Sequence, residues 1–224
     1  DYNVDLINSY LSIRENVNDL ILLLESHKIY NSKEYYYEIR AVDRDGRINS
    51  MTPVERAARI LYMLRVNFNG LYRLNSKGEF NTPYGRYKNP KIVDEENLIN
   101  ISNYLNNNDI LILNDDFEQA VSTASEGDFV YFDPPYVPIT DTSSFTSYTA
   151  NGFGIEEQKR LRDLFVELDK KGAYVMLSNS DSPIIHELYK DYSETTHIVS
   201  ANRMINSKGT GRGKINEVII TNYK

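Results

Sequence analysis

Asp133-Pro134-Pro135-Tyr136 is the stretch of this chain whose residue types and spacing best suit chemistry. Two consecutive prolines fix the backbone and remove two N–H donors. The Asp133 carboxylate and a nearby carbonyl, that of Pro134, can then converge as acceptors on one donor group. An exocyclic amine meets that demand. Accepting both amine hydrogens draws the nitrogen away from planarity and localises its lone pair, which makes it a better nucleophile for in-line attack on a methyl sulfonium. Tyr136 adds a π-face on which an extruded base can stack. Taken alone, the tetrapeptide is equally a rigid turn that closes a strand. Its context favours chemistry: the apolar run Phe129-Val130-Tyr131-Phe132 precedes it, and the polar aromatic stretch Ser143-Ser144-Phe145-Thr146-Ser147-Tyr148 follows, where it can close over a base.

Ligands on open α/β sheets bind outside the carboxyl ends of the strands, so such a turn needs a strand before it and a sheet around it. The second half of the chain meets both needs. Strands are predicted over residues 110–113, 129–132 and 174–177, helices over 155–170 and 183–189, and two strands at the end. The middle helix carries Ile155, Leu161, Leu164, Phe165 and Leu168 on one face, with Gly172 to terminate it, and the apolar run over 129–132 suits a buried strand. Val218-Ile219-Ile220 follows the turn Gly209-Thr210-Gly211-Arg212-Gly213, which predicts an antiparallel hairpin added to a parallel sheet. The pattern is α/β. Ser178-Asn179 is a second polar pair at a strand end, either an ordinary turn or part of the same crevice.

The first half reads helical. Leu6, Ile7, Tyr10 and Leu11, then Val17, Leu20, Ile21 and Leu24, recur at helical spacing, and Thr52, Pro53 and Glu55 match an N-cap, an N1 proline and a capping-box partner. That helix delivers the chain to Phe68. From there to about residue 91 the periodicity vanishes among Gly70, Gly78, Pro83, Gly85 and Pro90, and Arg73, Lys77, Arg86, Lys88 and Lys91 face only Glu79. The stretch is either a solvated loop or a basic recognition insertion. A second basic run, with Arg203, Lys208, Arg212 and Lys214 and no acid between them, suits a phosphate-binding hairpin.

Composition sets the outer bounds. With 224 residues, 41% hydrophobic and 25% charged, the chain has an ordinary globular balance, and its apolar runs fall short of a membrane span. It has no cysteine and three scattered histidines, which excludes thiolate metal sites and disulfides and leaves no paired metal-ligand spacing. The net charge of -7 argues against a protein coated in nucleic acid, but phosphate affinity follows the local excess rather than the total.

With these motifs together, the chain resembles the Dam-type adenine-N6 DNA methyltransferases that carry the Asp-Pro-Pro-Tyr tetrapeptide, and most closely those of restriction-modification systems that methylate GATC. Besides the tetrapeptide, Asn69-Gly70-Leu71-Tyr72-Arg73 and Phe80-Asn81-Thr82-Pro83-Tyr84-Gly85-Arg86-Tyr87 are similar to the family's target-recognition segment. The resemblance implies an S-adenosylmethionine-dependent methyltransferase (Rossmann-like) sheet and double-stranded DNA as substrate. It implies a mainly helical recognition insertion over residues 16–108, set between the start of the catalytic domain at 1–15 and its remainder at 109–224. Arg73 would read a guanine edge, Leu71 and Pro83 a thymine methyl, and Asn75, Arg86, Tyr87 and Lys88 would hold the DNA backbone. Phe68 would wedge into the stack that the flipped base leaves, or else it closes the core at the helix end. Asn69 is a base reader or a left-handed turn residue. Asp1 would bind the ribose hydroxyls of the methyl donor, with Asp116 and Phe117 at its adenine and Asp133 beside it. On their own, Asp116 and Phe117 read as a helix cap and a core aromatic. No metal is implied.

The chain opens Asp1-Tyr2-Asn3, without the Lys-bearing segment and Phe-x-Gly-x-Gly loop with which such enzymes begin. The expectation is that the natural folded protein has roughly 50 further residues before Asp1, forming a strand, a Gly-rich turn and a helix. Three readings follow: an adenine-N6 DNA methyltransferase, monomeric and cytoplasmic in a bacterium or phage; a truncated relic that only binds DNA; or an enzyme for other planar amines, in RNA or protein. The basic insertion disfavours the last.

Overall fold

The computed structural model describes residues 1–138, 153–202 and 214–224. The chain forms two compact units, Asp1–Asp116 and Phe117–Lys224. No helix among the described residues is long and apolar enough to cross a membrane.

The first unit is helical, as its periodicity requires. Helices α1 (Val4–Glu15), α2 (Val17–Tyr30), α3 (Lys33–Ala41), α4 (Pro53–Val66) and α5 (Glu95–Asn107) follow one another, and α4 sits at the centre, packed on α1, α2 and α3. Three helix starts are fixed by side chains. Asn3 accepts from the N–H groups of Asp5 and Leu6, Ser32 accepts from Tyr35, and Thr52 and Glu55 form the reciprocal capping box with Pro53 at the first position. Around α4 the core gathers Leu20, Leu24, Tyr36, Ala57, Ala58, Tyr62, Met63 and Phe80. The alanines let neighbouring backbones approach, and the tyrosines fill the remaining volume.

His27 packs at the edge of this cluster, stacked on Tyr62 at 4.8 Å between ring centres, with Nδ1 at 2.7 Å from the Tyr35 hydroxyl. Burial lowers its pKa from 6.5 to about 4. The folded protein therefore holds His27 neutral, while the unfolded chain takes up a proton once the pH drops below the ordinary value. The stabilisation is complete above about pH 6.5 and lost as the pH falls toward 4, with a total on the order of 3 kcal/mol. Unfolding of wild type and His27→Phe, compared across this window, should show the wild type losing more stability. Equal losses would refute a neutral buried His27.

The second unit is the α/β part. A short helix α6 (Phe117–Ala120) leads to β1 (Phe129–Phe132), α7 (Ile155–Lys170), β2 (Tyr174–Ser180), α8 (Pro183–Leu188), β3 (Thr196–Asn202) and β4 (Lys214–Thr221). The sheet order is β1-β2-β4-β3. β1 and β2 are parallel, with Phe132 opposite Leu177, whereas β4 runs antiparallel to both β2 and β3. The parallel pair with a helical crossover and the terminal antiparallel hairpin thus form as expected. Leu161, Leu164, Phe165 and Leu168 of α7 pack with Val130, Phe132, Val175, Leu177, Val218 and Ile220. Gly172 ends the α7 turn with φ +83°, a conformation costly for any residue with a Cβ.

Two expectations about strands fail. Residues 110–113 form no strand, and Leu111 is 79% exposed. An apolar run becomes a strand only where a neighbour takes its N–H and C=O groups, and among the described residues this run enters no ladder. Nor is β1 buried throughout. Within the second unit Val130 and Phe132 turn into the core, while Phe129 and Tyr131 are 59% and 52% exposed.

Candidate active site and nucleic-acid interface

Parallel pairing of β1 with β2 brings their carboxyl ends side by side, so Asp133 and Ser178 follow the paired Phe132 and Leu177. The Ser178 hydroxyl donates to Asp133 Oδ1 at 2.8 Å and accepts from the Tyr131 hydroxyl at 3.0 Å. One carboxylate oxygen is thereby oriented, and Asp133 itself is exposed at the strand end. Tyr136 is half-buried. Its hydroxyl pKa is raised, first by burial and then by the charges of Asp133 and Glu217, against the lowering effect of a hydrogen bond with Ser178, so it stays a phenol. The Pro135 carbonyl accepts from Gln158 Nε2 at 2.9 Å, and Val137 N–H donates to Asn179 Oδ1 at 3.1 Å. Among the described residues no hydrogen bond engages the Pro134 carbonyl. Asp133 and Pro134 thus both keep acceptor capacity among the described residues. The stretch Ser143 to Tyr148 lies outside the described residues.

In the first unit, residues 67–85 fold back as an irregular hairpin with antiparallel bridges Asn67–Tyr84 and Leu74–Phe80. Distant side chains hold it. Phe80 N–H donates to Asp43 Oδ2 at 2.7 Å, which also pairs with the buried Arg59 at 3.1 Å, while Tyr36 and Arg40 both donate to the Thr82 carbonyl. The Thr82 hydroxyl and Asn67 amide donate to the Leu71 carbonyl at 2.8 and 2.9 Å. Arg73 is exposed on this hairpin, its Nε and Nη2 donating to Asn81 Oδ1 and O at 2.7 and 3.0 Å.

The other candidates of the segment are distributed around it. Asn75 staples the tip: its Oδ1 accepts from Lys77 and Glu79 N–H, and its Nδ2 donates to Glu79. Asn69 has φ +58°, the left-handed turn, and its N–H donates to the Tyr87 hydroxyl at 3.1 Å. Phe68 is 47% exposed at the end of α4 and is not in the core cluster. Pro83, Arg86, Tyr87 and Lys88 are exposed and Leu71 half-buried. Arg86 and Lys88 form no ion pair among the described residues.

Of the residues expected at the methyl donor, Asp1 and the stretch before Asp116 come together within the first unit. Asn114 Nδ2 donates to the Asp1 carbonyl at 3.0 Å, and Asp1 Oδ1 accepts from Asn3 N–H at 2.7 Å. The exposed Asp1 carboxylate keeps its second oxygen for a hydroxyl, which fits a ribose. Phe117 opens α6, half-buried against Phe153 at 5.9 Å and beneath the Arg160 guanidinium at 5.0 Å. In the basic tail, Lys214 begins β4, and Arg203, Lys208 and Arg212 lie outside the described residues. Gln158 was not expected at the site at all. It occupies the buried face of α7, where periodicity calls for an apolar residue, and that anomaly is the signal by which it could have been found.

A carboxylate oriented at the end of a parallel strand and followed by two prolines places hydrogen-bond acceptors at the carboxyl edge of an α/β sheet. The chain belongs to the D12 class N6 adenine-specific DNA methyltransferase family, which it matches over residues 1–205. It is 60% identical to the type II methyltransferase M1.LlaDCHI of Lactococcus lactis subsp. cremoris over 223 residues, covering 100% of this chain and 78% of that protein. It is 43% identical to the type II methyltransferase M.MjaIII of Methanocaldococcus jannaschii, again across 100% of this chain and 78% of the relative. The DNA adenine methylase of Escherichia coli K12 is 31% identical, with 98% of this chain and 76% of that protein covered. The chain is an adenine-specific DNA methyltransferase, and its mixed sheet is that of the methyltransferase fold.

Proposed function

We propose that the protein methylates N6 of a flipped adenine within GATC in duplex DNA, with S-adenosylmethionine as donor, as the modification enzyme of a type II restriction system. The observation that carries the reading is the Asp133 carboxylate, one oxygen held by Ser178, beside a Pro134 carbonyl that no donor engages among the described residues. Asp133 and Pro134 accept the two amine hydrogens, and Tyr136 stacks on the base. S-adenosylmethionine supplies the electrophilic methyl group, with Asp1 at the ribose and Asp116 and Phe117 at the adenine. The proposed organisation is a recognition insertion over 16–108 within a catalytic domain, working as a cytoplasmic monomer.

GATC specificity rests on Arg73. Asn81 takes its Nε–Nη2 edge, so the end-on pair of N–H groups on Nη1 and Nη2 is left to meet guanine O6 and N7. Leu71 and Pro83 contact the thymine methyl. Phe68 fills the gap left by the extruded base, and Asn69, Asn75, Arg86, Tyr87 and Lys88, with Arg203, Lys208, Arg212 and Lys214, hold the DNA. Arg73→Ala should lose roughly 1 to 3 kcal/mol of discrimination at one guanine, whereas Lys88→Ala should weaken all sequences alike, with a shallower salt dependence. Kinetics on GATC duplexes changed at one base pair separate the two. Identical site profiles would overturn the division of roles.

A further inference from the structure

Gln158 and Asn179 are both 0% exposed, and their amides form a chain with one direction. Asn179 Oδ1 accepts from the N–H groups of Val137 at 3.1 Å and Ser180 at 2.9 Å, so that end must be the oxygen. Its Nδ2 then donates to Gln158 Oε1 at 3.2 Å, which turns Gln158 Nε2 onto the Pro135 carbonyl at 2.9 Å. Gln158 otherwise belongs to a helix face of Leu161, Leu164, Phe165 and Leu168, where a leucine would bury more apolar surface and leave no polar atoms to satisfy. The turn explains the exception. Two prolines supply no N–H, so the catalytic segment cannot hold itself through its own backbone and needs side chains to do so.

We infer that Gln158 and Asn179 are a positioning pair for methyl transfer. They occupy the Pro135 carbonyl and the Val137 N–H, which fixes the turn so that the Asp133 carboxylate and the Pro134 carbonyl converge on the amine. Neither touches the substrate. The inference rests on the reading of Asp133 and Pro134 as the amine acceptors. Its consequence is confined to the reacting geometry, where displacement by about an ångström costs roughly 10²-fold in rate.

Two replacements test it in the full-length enzyme, with thermal unfolding recorded for each. Gln158→Leu should lower kcat roughly 10²-fold at every pH, with KM for DNA and for S-adenosylmethionine within about twofold of wild type. Gln158→Glu keeps the shape but makes the donor titratable. The neutral acid can donate its O–H to Pro135 while its carbonyl accepts from Asn179, and the carboxylate cannot donate at all. Burial favours the neutral acid and lifts its pKa above the ordinary value of about 4.3, so kcat relative to wild type should climb as the pH falls from about 8 to about 6. A folded Gln158→Leu enzyme with wild-type kcat, or a loss confined to KM, overturns the pair. So does a Gln158→Glu ratio that does not rise at lower pH, and this ratio decides the matter if Gln158→Leu fails to fold. Asp133→Ala, run alongside, tests the underlying reading: if that variant keeps its turnover, the acceptor assignment falls, whatever Gln158 does.

Discussion

Asp133→Ala should lower kcat by roughly 10³-fold while leaving the Kd for DNA and for S-adenosylmethionine within a few-fold of wild type. The carboxylate is exposed at the end of β1, so its removal opens no cavity and strands no buried partner except the Ser178 hydroxyl. What disappears is an acceptor needed most when the amine loses planarity and attacks, an interaction stronger in the transition state than in the bound ground state. Loss in kcat with binding preserved is the kinetic mark of such a group. Asp133→Asn is the stricter version, because it keeps the volume and still removes charge. Single-turnover methyl transfer gives the rate and equilibrium titration the affinities. A variant with near-normal turnover would sink the catalytic assignment.

Gly85→Ala should be the most damaging of the small substitutions in the first unit. A Cβ there would lie 2.6 Å from Tyr87 Cε2 and 2.8 Å from the carbonyl oxygens of both Val66 and Asn67. The tyrosine ring can swing aside, but two backbone carbonyls at the end of α4 cannot without moving the helix terminus or the hairpin. Gly85 N–H also donates to the Val66 carbonyl at 2.8 Å, so the hairpin is held against α4 at the point of collision. The expected cost is about 3 kcal/mol or more, at the upper end for overpacking. DNA affinity should fall with it, since Tyr87 leaves the Asn69 N–H. Gly78→Ala is the control: a Cβ there meets nothing within 4 Å, and only its φ of +78° is strained, at a cost of about 1 kcal/mol. Comparable Tm losses in the two variants would refute the close-approach argument.

What the sequence made legible was what local physics determines. The capping box at Thr52 and Glu55, the apolar face of α7 and the terminal hairpin follow from contacts within a few residues or from a simple period, and all are present. The strand before Asp133 was legible because its apolar run is short and ends in prolines. The run over 110–113 looked the same and is not a strand, because pairing is decided by a neighbour that periodicity does not see. The recognition hairpin was legible only as an interruption. Its shape depends on Asp43 reaching Phe80 and Tyr36 reaching Thr82, contacts spanning 37 and 46 residues, with no repeating signature. Asn179 was legible only as one of two polar residues at a strand end, and Gln158 only as a polar exception on the apolar face of α7; the packed structure reveals that both are buried around the turn.

Adenine methylation at GATC is tested most directly by giving the protein isotopically methyl-labelled S-adenosylmethionine and a duplex containing one GATC, then digesting the DNA and identifying the labelled nucleoside. Label should appear in N6-methyladenine at that site, be lost when the GATC adenine is replaced and be lost again with Asp133→Ala. Label on cytosine, label that persists after the adenine is replaced, or DNA bound without any methyl transfer would contradict it.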